Sequence, residues 1–114
     1  MIYLNMNYTV ELTEDVIDFI LSLPNKMQAK IQRTINLLKE FGYLLPEPHS
    51  KKLKSVEALY ELRIKLGSDI CRLFYFYWKN KIYVVTSGYI KKSNKTDRHE
   101  IKKAINIMNK FKEQ

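Results

Sequence analysis

A chain of 114 residues, 46% hydrophobic and 28% charged, fits a single domain over 1–114 and is too apolar for wholesale disorder. Twenty Lys and Arg against 12 Asp and Glu leave a net charge of +8, which attracts polyanions, nucleic acid foremost. The single cysteine, Cys71, excludes an internal disulfide, two histidines argue against a multi-ligand metal site, and no apolar run nears the roughly 20 residues that span a bilayer. With no signal-peptide pattern at the start, a reduced cytoplasmic protein without metal, cofactor or membrane partner is expected.

In residues 2–12 every even position is apolar or aromatic, a period of two that predicts a half-buried strand. Thr13 suits a helix N-cap, with Glu14 and Asp15 in the first turn and Val16, Ile17, Ile20 and Leu23 at helical spacing until Pro24. Asn25 can cap a second helix carrying Met27, Ile31, Ile35, Leu38 and Phe41, broken by Gly42. Residues 43–56 read as a loop. Period two returns in LYELRIKL, ICRLFYFYW and KIYVVTSGYI, with turns expected at Gly67–Asp69 and Lys79–Asn80. A last helix is predicted from near Thr96, repeating Ile101, Ile105, Met108 and Phe111. The order β-α-α-β-β-β-α describes an α+β domain: an antiparallel sheet with a helical hairpin laid on one face and a C-terminal helix.

Charge is distributed unevenly. Residues 1–46 hold four basic and five acidic side chains, whereas 47–114 hold 16 basic and seven acidic ones. Strand alternation sets Leu62, Ile64 and Leu66 on one side of the sheet and Glu61, Arg63 and Lys65 on the other. An even-length turn sets Lys65 opposite Arg72 and Arg63 opposite Phe74, and a turn at Lys79–Asn80 sets Arg72 opposite Ser87. Arg63, Lys65 and Arg72 then share one face, with Tyr89 and Lys91 towards its end. Leu62, Ile64, Leu66, Cys71, Leu73, Tyr75, Ile82 and Val84 form the apolar face for the helices. Like charges across neighbouring strands repel unless an anion joins them. Phe74, Tyr83 and Tyr89 are candidates to stack unpaired bases. A solvated sheet face with Glu61 pairing locally is the competing reading.

Four ordered elements carry a resemblance: Leu59-Tyr60-Glu61-Leu62-Arg63, Arg72-Leu73-Phe74-Tyr75-Phe76, Gly88-Tyr89-Ile90-Lys91-Lys92, and Lys95-Thr96 before the final helix. With the Pro48–Leu53 loop they make the chain similar to RelE/HigB-like toxins of bacterial type II toxin–antitoxin modules, in the phage-derived branch of the RelE/ParE superfamily. Asp97 stands where many relatives have proline.

That resemblance implies a metal-independent, ribosome-dependent mRNA endoribonuclease that inhibits translation. It also implies neutralisation by a cognate, HigA-like helix-turn-helix antitoxin, with operator DNA bound only through the complex. The superfamily also contains gyrase poisons, and a non-enzymatic nucleic-acid-binding module fits the charge as well. For cleavage, the RNA's own 2′-OH would attack. Lys65 or Arg63 would position or deprotonate it, Arg72 would grip the phosphate, Lys91 or Lys92 would face the leaving oxygen, and Tyr89 would stack on a base or orient the ribose. Lys52, Lys54, Phe74, Lys92 and Lys95 complete the expected substrate-binding set, and His49 is a possible acid or base.

Overall fold

Turn chemistry sets the sheet of this protein, whose computed structural model describes residues 7–91 and 97–114. The chain runs β1 (Thr9–Leu12), α1 (Glu14–Leu21), α2 (Asn25–Phe41), a 3-10 turn (Gly42–Leu44), β2 (Ser50–Lys52), β3 (Tyr60–Leu66), β4 (Asp69–Lys79), β5 (Ile82–Lys91) and α3 (Arg98–Lys112). The expected positions 2–6 of the first strand, and the helix start at Thr96, lie outside the described residues.

The local signals act as their chemistry requires. Thr13 caps α1, its Oγ1 accepting from the Val16 amide at 3.2 Å while donating to the Thr86 carbonyl at 2.6 Å. Gly42 ends α2 with φ of 55°, a conformation that favours glycine. One expected cap and one expected first-turn residue take other positions. Pro24 holds the N-cap position of α2 and Asn25 is already helical. Asp97 caps α3, accepting from the His99 amide at 2.9 Å.

The five strands lie in the order β1-β5-β4-β3-β2. β1 runs parallel to β5, so the sheet is mixed rather than wholly antiparallel, because two helices carry the chain between its edges. β2 is an additional strand inside the expected loop, pairing Ser50 with Leu62 and Lys52 with Tyr60. Both hairpin turns sit one residue away from expectation. Gly67–Ser68 pairs Arg63 with Arg72, and Asn80–Lys81, both at positive φ, pairs Arg72 with Tyr89. A two-residue turn that slides by one changes the pairing by two, so the side chains of β3, of β4 up to Tyr77 and of β5 from Ser87 onward keep their faces.

Two apolar layers sandwich the sheet. On one side α1 and α2 cover Leu62, Ile64, Cys71, Leu73, Tyr75, Tyr83 and Val85 with Val16, Met27, Ile31, Ile35 and Leu38. On the other α3 sets Ala104 and Met108 against Phe74, Phe76 and Val84. Val84 and Ile82 therefore belong with α3 and not with the hairpin. The irregular register between Phe74 and Tyr75, where Thr86 is the extra residue on β5, turns the rest of that strand over. No helix among the described residues is long and apolar enough to cross a membrane.

Candidate nucleic-acid interface

Residues directly opposite one another in a sheet point the same way, so the register places side chains without further assumption. Arg63, Arg72 and Tyr89 form one row across β3, β4 and β5. Lys65, Ile70 and Lys91 form the next, and Lys51, Glu61, Phe74 and Ser87 the one on the other side. The α3 helix covers Phe74 and Phe76 on this face, and Tyr89 packs at the margin of the same cluster. Arg63, Lys65, Arg72 and Lys91 thus share one side, as the alternation predicts, with Lys51 added.

At the centre Arg72 donates from Nη1 to Glu61 Oε1 at 2.7 Å, the single ion pair among the described residues. Arg72 is 4% exposed and Glu61 1%. Arg72 Nε and Glu61 Oε2 are buried with no partner among the described residues. Glu61 is no solvated neutraliser, and part of the Arg72 guanidinium is committed before any ligand arrives.

Lys91 is held below the ordinary ammonium range, first by loss of hydration and then by Arg72 and Arg63, with Glu61 opposing and Lys51 adding to the push. Tyr89 lies flat over Phe74, ring centroids 5.7 Å apart and planes at 20°. Burial raises its phenol, against the pull of the Asp97 backbone and Arg72. Its hydroxyl nears Asp97 without forming a well-shaped hydrogen bond among the described residues.

Several expected site residues stand elsewhere. Phe74 is wholly buried, so it supports Tyr89 from beneath and offers no ring to a base. Tyr83 is turned to the hairpin side by the irregularity at Thr86 and packs against Tyr8, Tyr75 and Tyr77. Lys52 pairs with Tyr60 and faces away from Arg72, lining a tyrosine-rich pocket instead. Lys54 is exposed after β2 and shares a shallow cleft with Lys51 and Glu47. His49 is exposed beside Arg63, whose amide donates to the His49 carbonyl at 2.9 Å. Lys92 and Lys95 lie outside the described residues.

Glu61 and Lys51 stand in roles that sequence reasoning did not give them. Glu61, expected to pair locally on a solvated face, is buried against Arg72. Lys51, expected only as a loop lysine flanking the cationic face, joins it through β2, which is too short to show a period.

Residues 18–109 match the family model described as Phage derived protein Gp49-like (DUF891). No curated protein matches the chain. Among solved structures, a chain of the archaeal RelE–RelB complex from Pyrococcus horikoshii OT3 is 24% identical at a TM-score of 0.56, covering 73% of this chain and 93% of its own. The E. coli toxin RelE, as a double arginine-to-alanine mutant in the free state, gives 19% identity and a TM-score of 0.62 over 87% and 95%. A chain of the intact E. coli RelBE toxin–antitoxin complex gives 19% and 0.55 over 77% and 99%. The fold is that of RelE.

Proposed function

The chain belongs to the phage-derived Gp49-like family, and from that footing we propose that it is the toxin of a toxin–antitoxin module, cleaving mRNA on the ribosome without a metal ion. One observation carries this reading: Arg63, Arg72 and Tyr89 in a single row, flanked by Lys51 and Lys91, around a buried guanidinium with an unpartnered Nε.

The chemistry follows from the charges. The RNA 2′-OH attacks the adjacent phosphorus, the phosphorane gathers negative charge, and the 5′-oxygen leaves with a proton. Arg72, fixed in direction by Glu61, meets the non-bridging oxygens with the donors Glu61 leaves free. Arg63 or Lys65 orients the 2′-OH, whose proton passes to solvent water as the O–P bond forms. Lys91, its ammonium acidified by loss of hydration and then by its cationic neighbours, protonates the leaving oxygen, and Tyr89 stacks against a base. Glu61 acts through Arg72 and is a positioning residue.

No accessible carboxylate or histidine sits in the central row, so naked RNA is a poor substrate and a ribosome supplies the alignment. Two of the similar solved structures hold a RelE chain with RelB, which supports a cognate antitoxin for this protein. Its helix-turn-helix kind and its joint binding of operator DNA rest on the sequence resemblance alone.

The test mixes purified protein with translating ribosomes and maps mRNA ends, with and without EDTA on ribosome-free RNA. Ends bearing 2′,3′-cyclic phosphate, lost in Lys91→Met while ribosome binding persists, support the reading. Loss of supercoiling by gyrase without RNA cleavage assigns the fold to a gyrase poison. Phosphate-dependent binding with no cleavage of any RNA leaves a binding module.

A further inference from the structure

Among the described residues, β3 has no strand on its outer side beyond Leu62, because β2 pairs only with residues 60–62. A cavity of about 580 Å³ opens there between β3 and α2. Lys30 and Arg33 of α2, His49 of the preceding loop, and Arg63 and Lys65 of β3 form its walls, with Leu37 and Ile70 contributing apolar lining. Among the described residues no carboxylate lines it. Lys30 Nζ donates to the Lys65 carbonyl at 2.8 Å, a solvent-exposed bond that holds that ammonium at the strand edge.

Four cations around one cavity repel one another, and a bound anion relieves that repulsion. The volume falls in the range that accepts a small organic group, and an apolar lining under cationic walls matches a nucleotide: ring over the floor, phosphate against the walls. Arg63 and Lys65 belong both to this cavity and to the cationic sheet face, so an RNA strand held at Arg72 continues into it without leaving positive surface. We propose that the cavity is a nucleotide subsite, holding a base that flanks the scissile phosphate, with Lys30 and Arg33 on the adjoining backbone phosphate. It rests on the RNA-cleaving reading above and adds α2, from the acidic half of the sequence, to the substrate track.

The experiment titrates the full chain with a short single-stranded oligoribonucleotide, 2′-O-methylated so that it cannot be cleaved, and reads amide chemical shifts and salt-dependent affinity. Shifts at Arg33, His49 and Ile70 together with those at Arg63 and Tyr89 are expected. Arg33→Ala, an exposed helical position whose unchanged amide spectrum verifies the fold, should weaken binding severalfold and lower the salt slope by about one. An abasic flanking position should abolish the Ile70 shift and spare that of Arg33. Shifts confined to Arg63, Tyr89 and Lys91, with an unchanged slope in Arg33→Ala, overturn the subsite and leave the nuclease reading standing. Absence of any shift in the wild-type protein overturns the subsite as well, while the nuclease reading stands or falls with the ribosome assay above.

Discussion

Arg72 and Glu61 lie 11 residues apart and meet through one hydrogen bond of 2.7 Å in the middle of the sheet, both almost entirely out of water. They are diagonal neighbours: Glu61 pairs with Phe74 and Arg72 with Arg63, so the carboxylate reaches across the row to a guanidinium already facing two other cations. Without Glu61, Arg72 would be a buried unpaired charge among its own kind. Glu61→Ala should therefore lower unfolding free energy by about 3–5 kcal/mol, whereas replacing both partners by apolar residues of similar volume should recover most of that loss. Urea unfolding of the two single variants and the double variant measures the difference. A Glu61→Ala protein as stable as wild type would mean that the pair is not buried in solution.

Lys91 has a pH signature with a definite sign. Its pKa in the folded chain is lowered, while in the unfolded chain it returns to about 10.4. Between those values the unfolded state holds more protons, so this residue's contribution to stability rises as pH climbs through its folded pKa. Below it, charged Lys91 lowers stability. Lys91→Met should then be more stable than wild type at neutral pH, with the gain fading above the unfolded pKa. Inorganic phosphate, which fits the same cations, should raise the wild-type Tm more than that of Lys91→Met. Thermal melts across pH, with and without phosphate, check both.

How much of this was legible beforehand depends on what each residue's pattern can encode. Alternation at Leu62, Ile64 and Leu66 against Arg63 and Lys65 decides a face, because the wrong face would bury unpaired charge. Alternation does not decide which of two adjacent dipeptides turns, so Lys65 was expected opposite Arg72 and lies opposite Ile70. An amphipathic helix announces that it has a buried side, not which side of a sheet will cover it. The placement of α3 over Phe74 and Phe76 follows from packing after the sheet has formed. Ser50, Lys51 and Lys52 become a strand only because β3 offers them an edge, a cause that lies in other residues.

Cys71 faces the hairpin layer, opposite Ile64, and burial pushes its thiol up to about 12. The thiolate is the reactive form, so modification at neutral pH has to wait for unfolding. An aromatic disulfide reagent should react with native protein orders of magnitude more slowly than with protein in denaturant. Rapid native labelling would place this strand face in solvent and contradict the packing of α2 on β3.

Gly88 is held to its size by two neighbours. A methyl group there would collide with a Leu73 methyl and approach Phe19 Cε2 to 2.8 Å, where α1 rests on β5. Leu73 is wholly buried and Phe19 is half-buried against the same layer, so neither has open space to retreat into. Gly88→Ala should cost about 1–3 kcal/mol through overpacking. The neighbouring Tyr89 would move with the strand, so RNA cleavage should fall as well. Denaturant unfolding and the cleavage assay read the two effects separately.

Lys51 and Lys52 supply the sharpest test of the register, being adjacent, alike in chemistry and turned to opposite sides of the sheet. Lys51 pairs with Glu61 and lies close enough to Lys91 to disfavour its charge. Lys52 pairs with Tyr60 and borders the tyrosine-lined pocket with Ser50, whose hydroxyl bonds that of Tyr75. Total charge changes equally when either is removed, so any long-range steering of RNA falls equally too. Contact effects do not. Lys51→Ala should weaken binding of a non-cleavable oligoribonucleotide and reduce its salt slope by about one, and it should move the Lys91 pKa back towards its ordinary value. Lys52→Ala should leave the Lys91 titration unchanged and alter affinity only by the shared long-range share. Nitrogen-detected titration of the Lys91 ammonium, run beside oligonucleotide binding, separates the two variants. Equal effects from both would mean that β2 does not hold the register that puts Lys51 at the site.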